Sequence, residues 1–323
     1  MIRRVLLVAA SIALGLQIVG SAAAQSTYPT RTVRFILPYG AASASDTTAR
    51  LFADRLSARW GKPVVVENRP GGEGIVSLQA FVAANDDHTL WFGPAGVFTV
   101  LPYQHDAVPF DPYRDLNPIV SVSDVVLAVS MPASMHVDTM AQLVALVRSE
   151  PGKLNAAAAN GLSDFLLFGF FKNLGLQVAH VPYRDIMQAP GDLAEGRIQV
   201  LSTSLAVPQP LAHAGRLKIL LVTSKQRAPG EPGIPTADEA GYPALTFQST
   251  GGVFGPRGMS DTLRESIAAD FRAVSADPAI ASRLASFGTI MNIRGPSEFA
   301  ATIQEQRDKI AALAKTLGIT AAQ

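Results

Sequence analysis

"VRFILPYGAASASDTTARLF", residues 33–52, passes from apolar residues through a proline into small side chains and then into charges. Val33, Phe35, Ile36 and Leu37 read as a short strand buried on both faces, because β-branched and aromatic side chains suit a doubly covered sheet. Pro38 ends it. Ala49, Phe52, Ala53, Leu56 and Trp60 then recur at three-and-four spacing, the apolar stripe of a helix, with Asp46 or Ser45 as the expected N-cap. The segment is therefore strand, small-residue loop, helix start. Such a turn leaves backbone N–H groups at the positive end of a helix dipole, where they can hold an anion without a basic side chain. The alternative is an ordinary strand-to-helix connection, and this stretch alone leaves both readings open.

Working outward, the pattern repeats as "PVVVEN", "RPGGEG" and a helix carrying Ile75, Leu78 and Phe81, and then as "HTLWF" followed by "GPAG". Strands alternating with helices predict a parallel sheet covered on both faces, with ligands beyond the carboxyl ends of the strands. Three Gly/Ala/Pro loops should gather on one edge. After the polar passage "HDAVPFDPYRDLNP" a new apolar run, Val125–Met131, marks a crossing into a second lobe, followed by a helix with Met140, Leu143, Val144 and Val147. "KLNAAAANGLSDFLLFGFFKNLG", "AHVPYRD" and "IQVLSTSLAVP" supply further strand-to-loop transitions, and "LKILLVTS" reads as a returning strand. Beyond Lys225 come a Pro/Gly-rich connection, the strand and loop "LTFQSTGGVFGP", and helices near 261–275, 278–286 and 296–315.

The first 24 residues follow another plan. Arg3 and Arg4 precede an apolar run from Val5 to Val19 and then Ala22-Ala23-Ala24, the layout of a secretory signal with cleavage expected after Ala24. The run is short of the roughly 20 residues of a spanning helix. Removing Arg3 and Arg4 leaves 25 basic against 26 acidic side chains. With no basic cluster, nucleic acid is excluded as a partner. The chain has no cysteine, which excludes thiolate nucleophiles, Cys-ligated zinc and disulfides. Removing 24 of 323 residues leaves 299, more than one comfortable core, so two lobes are expected.

Taken together, "YPTRTVRFILPYG", "GKPVVVENRPGGEG", "VPFDPYRDLNPI", "PGKLNAAAANG", "HVPYR", "GRLKILLVTSKQRAPGEPGIPTADEAGYP" and "IRGPSEFAATIQEQ" span nearly the whole mature chain in order. They resemble the tripartite tricarboxylate transporter substrate-binding proteins, the Bug or TctC-like family of extracytoplasmic solute receptors. The resemblance implies an α/β, two-lobed periplasmic-binding-protein fold (Venus-flytrap, type II-like) with mixed and parallel sheets and an interlobe cleft. It implies lobe one at 28–124 and 225–323 and lobe two at 125–224. It further implies capture of a small organic carboxylate, without a cofactor or metal, by a monomeric periplasmic protein serving a membrane transporter.

Site residues follow from the same resemblance. The loop after the first strand, Tyr39, Gly40, Ala41, Ala42, Ser43 and Ser45 with Asp46 at its end, should offer backbone amides to a ligand carboxylate. "AASAS" stands where the family favours glycines, so a positive φ there would strain Ala or Ser. Gly93, Pro94 and Ala95 form the third loop, where Pro94 lacks an N–H. In lobe two the matching positions are Asn160, Gly161, Ser163, Asp164, Arg184, Asp185, Ser202, Thr203 and Ser204. Asp164 and Phe165 replace an expected Pro and His, Arg184-Asp185 a Lys-Gly pair, Thr203 a frequent Asp, and Thr250-Gly251 two aromatics. These departures imply a roomier, less polar cleft and a ligand larger or more aromatic than a compact polycarboxylate. Asp164 or Asp185, if directed into the cleft, would favour a cationic or hydroxyl-bearing end of the ligand, against the plainer role of a helix cap or solvated carboxylate.

Two rival readings remain. An exported hydrolase has poor support, since "GLSDF" around Ser163 lacks the second glycine of a G-x-S-x-G elbow. His88, His105, His136, His180 and His213 show no H-E-x-x-H spacing, and "GGEG" at 71–74 lacks the Lys-Ser/Thr of a P-loop. A receptor that presents its ligand to a membrane sensor cannot be told from a transport receptor by sequence.

Overall fold

The computed structural model describes residues 28–321 except 42, 106–107, 160, 184–185, 229, 248 and 287. The expected signal segment, 1–24, lies outside the described residues, as do the candidate site residues Ala42, Asn160, Arg184 and Asp185. Among the described residues no helix is long and apolar enough to cross a membrane.

The chain forms strands β1 (Val33–Leu37), β2 (Val64–Asn68), β3 (Thr89–Pro94) and β4 (Leu116–Val125), and then β5 (Leu127–Pro132), β6 (Asn155–Ala158), β7 (Ala179–His180), β8 (Val200–Ser204) and β9 (Leu217–Val222). It returns through β10 (Ser249–Pro256) and β11 (Thr289–Arg294). One sheet has the order β11-β4-β10-β3-β1-β2 and the other β7-β6-β8-β5-β9. β1 is parallel to β2 and β3, and β6 is parallel to β7 and β8, as strand–helix alternation predicts. β10 runs antiparallel to β3 and β4, and β5 antiparallel to β8 and β9. The antiparallel pairs arise where the chain passes between sheets: it leaves on β4 into β5 and comes back into β10, against the direction of the βα units.

β1 shows why its sequence reads as doubly buried. Val33, Phe35 and Leu37 pack with Phe52, Leu56, Ile267 and Phe271 on one face, while Ile36 packs with Trp91, Phe98 and Phe254 on the other. Fully burying each such side chain contributes about 1.5–3 kcal/mol. In the second sheet, Val129, Met131 and Val200 pack under Leu143, Val147, Phe170 and Phe171, and Ala157 and Leu201 under Leu193. The C-terminal helix Pro296–Leu317 touches both units. Phe299 and Ile303 join the first-sheet cluster, whereas Ile310, Leu313 and Ala314 pack with Leu162, Phe165 and Leu166. A methyl on Gly169 would stand 2.6 Å from Leu313 Cδ1, so the two helices approach this closely only over a glycine.

The sheets are joined at Val126, whose N–H donates to Gly288 O at 3.4 Å and whose carbonyl accepts from Leu205 N–H at 2.8 Å. Thr223 N–H donates to Leu127 O at 2.9 Å, and Phe247 N–H to Thr223 O at 2.8 Å. Ala237 and Leu245 lie in the second-sheet core and Thr236 bridges Val222, so part of the connection after β9 packs with the second sheet. β4 also begins earlier than the apolar run suggested: Pro118 and the serines of "LNPIVSVSDV" mask a strand that pairs with both β10 and β11.

Candidate functional site

The cap of the first long helix, Ala44–Trp60, is Ser43, neither Asp46 nor Ser45. Ser43 has extended backbone (φ −65°, ψ 161°) and its Oγ accepts from Asp46 N–H at 3.2 Å. Asp46 is turned inward, 3% exposed. Its carboxylate accepts from Arg50 Nε at 3.0 Å and Asn68 Nδ2 at 2.9 Å, and Asn68 Nδ2 also donates to the Tyr39 carbonyl at 2.9 Å. That hydrogen bond to Asp46 holds the Arg50 guanidinium above its ordinary pKa. Asp46 thus braces the helix start to β2 and the first loop. The Ala and Ser residues described in this loop carry no positive φ, so losing the family's glycines brings no such strain.

Gly40 and Ala41 are exposed, and Ser43 and Ser45 half-buried. Tyr39 keeps 37% of its surface accessible while desolvation pushes its phenol up to about 12.

The three first-edge loops do gather. Gly74, at φ +102°, carries the second loop so close that a methyl would lie 2.3 Å from Val97 Cγ1 and 3.5 Å from Pro38 Cβ. Arg69 N–H donates to Leu37 O at 2.8 Å. In the third loop, Gly93 and the half-buried Pro94 continue β3. Ala95 is fully buried and its N–H donates to Thr250 O at 2.9 Å. Its amide is thus engaged within the first sheet.

On the second sheet, Gly161 (φ +81°) opens the helix Leu162–Asn173 with no side-chain cap. Ser163 is buried in its first turn, and Ala159 N–H donates to Ser202 O at 2.9 Å. Ser202 and Thr203 are buried at the end of β8, Ser204 is half-buried, and the Thr203 hydroxyl donates to Ser204 O at 3.0 Å. Asp164 pairs with His180 Nε2 at 3.1 Å, and the His180 ring lies 4.3 Å from that of Phe168. This partner of Asp164 is not evident from spacing, because β7 joins the sheet only through tertiary pairing.

The carboxyl edges of the two sheets meet. A methyl on Gly96 would be 3.3 Å from Leu162 Cδ2, one on Gly161 3.8 Å from Val100 Cγ2, and the Tyr103 and Phe165 rings lie 6.0 Å apart. A groove of about 550 Å³ beside Phe168, Phe171, Lys172 and Leu176 lies at the other end of the second sheet and holds none of the candidate residues. Sequence reasoning missed Arg50, Asn68 and Thr250 as supports. The i, i+4 spacing of Asp46 and Arg50 was the one local signal available.

Two opposed α/β units joined by crossing strands define the class of bilobal solute receptors. The family model for the tripartite tricarboxylate transporter family receptor matches residues 48–319, and the chain belongs to that family, which is made of substrate-binding receptors rather than enzymes. A UPF0065 protein of Bordetella bronchiseptica is 30% identical over 299 residues, covering 92% of this chain and 89% of the relative. The solved structure of R. palustris Rpa4515 with adipate is similar at TM-score 0.79 and 26% identity, covering 91% of this chain and 99% of that one. The periplasmic binding protein BugD is similar at TM-score 0.76 and 25% identity, covering 90% and 99%. The mixed sheets are those of the periplasmic-binding-protein fold.

Proposed function

We propose that this protein, exported to the periplasm and freed of residues 1–24, captures a small organic carboxylate between two lobes and delivers it to a tripartite-tricarboxylate-type membrane transporter. The lobes comprise roughly 28–125 with 248–323, and 126–247. The observation that carries this reading is the approach of the two carboxyl edges at Gly96–Leu162 and Gly161–Val100. The ligand carboxylate is held by the first loop, Tyr39, Gly40, Ala41 and Ser43 to Ser45, at the start of the helix Ala44–Trp60, where amides and dipole favour an anion. Gly161, Ser163, Ser202 and Ser204 face it from the second lobe. A ligand touching both lobes binds the closed form better, and that difference shifts the population toward the form a transporter reads.

The relative solved with adipate supports a carboxylate. The apolar meeting surface of Val100, Leu162 and Phe165 supports a ligand less polar than citrate. Melting shifts and calorimetry with adipate, benzoate, glutamate and citrate, against adipamide and benzamide, test both parts. A ligand at 100 times its Kd stabilises the fold by about 2.7 kcal/mol. Carboxylates should raise the melting temperature and amides should not. An equal response to amides, or none to any acid, overturns carboxylate capture; a preference for citrate overturns the ligand class.

A further inference from the structure

Trp91 and Ser77 are both fully buried and belong to none of the candidate binding positions. The Trp91 indole N–H donates to Ser77 Oγ at 3.0 Å, and the Ser77 hydroxyl donates onward to the Gly74 carbonyl at 2.7 Å. Both donors of this chain, the indole N–H and the serine hydroxyl, are used among buried residues. Gly74 is the residue pressed against both Pro38, at the root of the first loop, and Val97, just past the third. Trp91 itself lies in β3 opposite Ile36 of β1, its ring beneath Gly93, where a methyl would come within 2.6 Å of it, and 6.0 Å from the ring of Phe98. The indole therefore links the start of the helix Ile75–Ala84 to Gly93 of the third loop, and Gly74 carries the link on to Pro38.

We propose that Ser77 is a positioning residue for the binding edge, holding the 38–45, 69–76 and 93–97 loops in one arrangement through the Trp91–Ser77–Gly74 chain. The inference deepens the proposed function, on which the word "binding" rests. Glycine at 74 has the freest backbone of any residue, at a left-handed φ, and the Ser77 hydrogen bond to its carbonyl adds to the bond its N–H donates to Gly71 O and to its packing on Val97 and Pro38. Without the hydroxyl, the Trp91 N–H and the Gly74 carbonyl both lose a buried partner, and the second loop is released from the core.

The test compares the full-length mature protein with its Ser77→Ala variant by hydrogen–deuterium exchange, with the indole N–H resonances of the two tryptophans followed by NMR. Peptides covering all three loops should exchange about tenfold faster in the variant, the equivalent of one hydrogen bond. The helix 261–275 of the same lobe should not change. The Trp91 indole proton should move upfield while that of Trp60, bonded to Asp270, stays. Faster exchange confined to residues 71–77, or spread equally into the 261–275 helix, would overturn the inference by showing a local or merely structural role. Calorimetry with adipate and benzoate, well below the melting temperature of either protein, should show about tenfold weaker binding to the variant. If neither acid binds the unmodified protein, the carboxylate reading fails while the exchange result still decides the role of Ser77. If an acid binds both proteins equally, Ser77 does not position the binding edge.

Discussion

The two facing edges are built on different terms. On the first sheet, the helix start is capped by Ser43, braced by Asp46 to Arg50 and Asn68, and pressed by Gly74 onto its neighbouring loops. On the second, the helix Leu162–Asn173 starts at an uncapped glycine, and Asp164 meets His180 with 32% and 48% of their side chains open to solvent. The difference teaches that, among the described residues, the first edge is tied by buried polar contacts and close glycine packing where the second shows a solvent-open pair at an uncapped helix start.

Breaking the first edge should therefore be costly. Gly74→Ala combines a left-handed φ with a 2.3 Å clash against Val97 and should destabilise the protein by about 3 kcal/mol or more in urea unfolding. A loss below about 1 kcal/mol would mean the three loops are not locked together. Asp46→Ala removes a buried carboxylate with charged and amide partners, and a loss of about 2–3 kcal/mol is expected, with the Arg50 and Asn68 side chains released. Ser43→Ala should cost about 1 kcal/mol, the usual worth of an N-cap. On the second edge, His180→Ala should move stability by less than about 1 kcal/mol, since both partners are partly open to solvent. Should this last change prove the most damaging of the four, the contrast between edges is reversed.

The fold was legible because its signals are local. The doubly buried "VRFIL" and the stripe Leu263, Ile267, Phe271 and Val274 are read from spacing, and the helices found at 261–275, 278–285 and 296–317 match their expected positions closely. What was not legible is tertiary. β4 carries a proline in a central strand, tolerated where its register with β10 shifts at Val253/Phe254. The helix Gly96–Gln104 contains Pro102 and no polar face, so periodicity does not announce it. Asp46 reads as a capping or ligand residue from its neighbours, and only Asn68, 22 positions away, reveals it as a brace. Residues 225–247 look like a linker by composition, yet Ala237 and Leu245 are core.

The C-terminal helix leaves a last consequence. Because Leu313 closes over Gly169 and lies in the helix after β11, a nascent polypeptide can finish the strands of both sheets before it makes this contact. One contact between the halves thus forms only after the strands of both have been made.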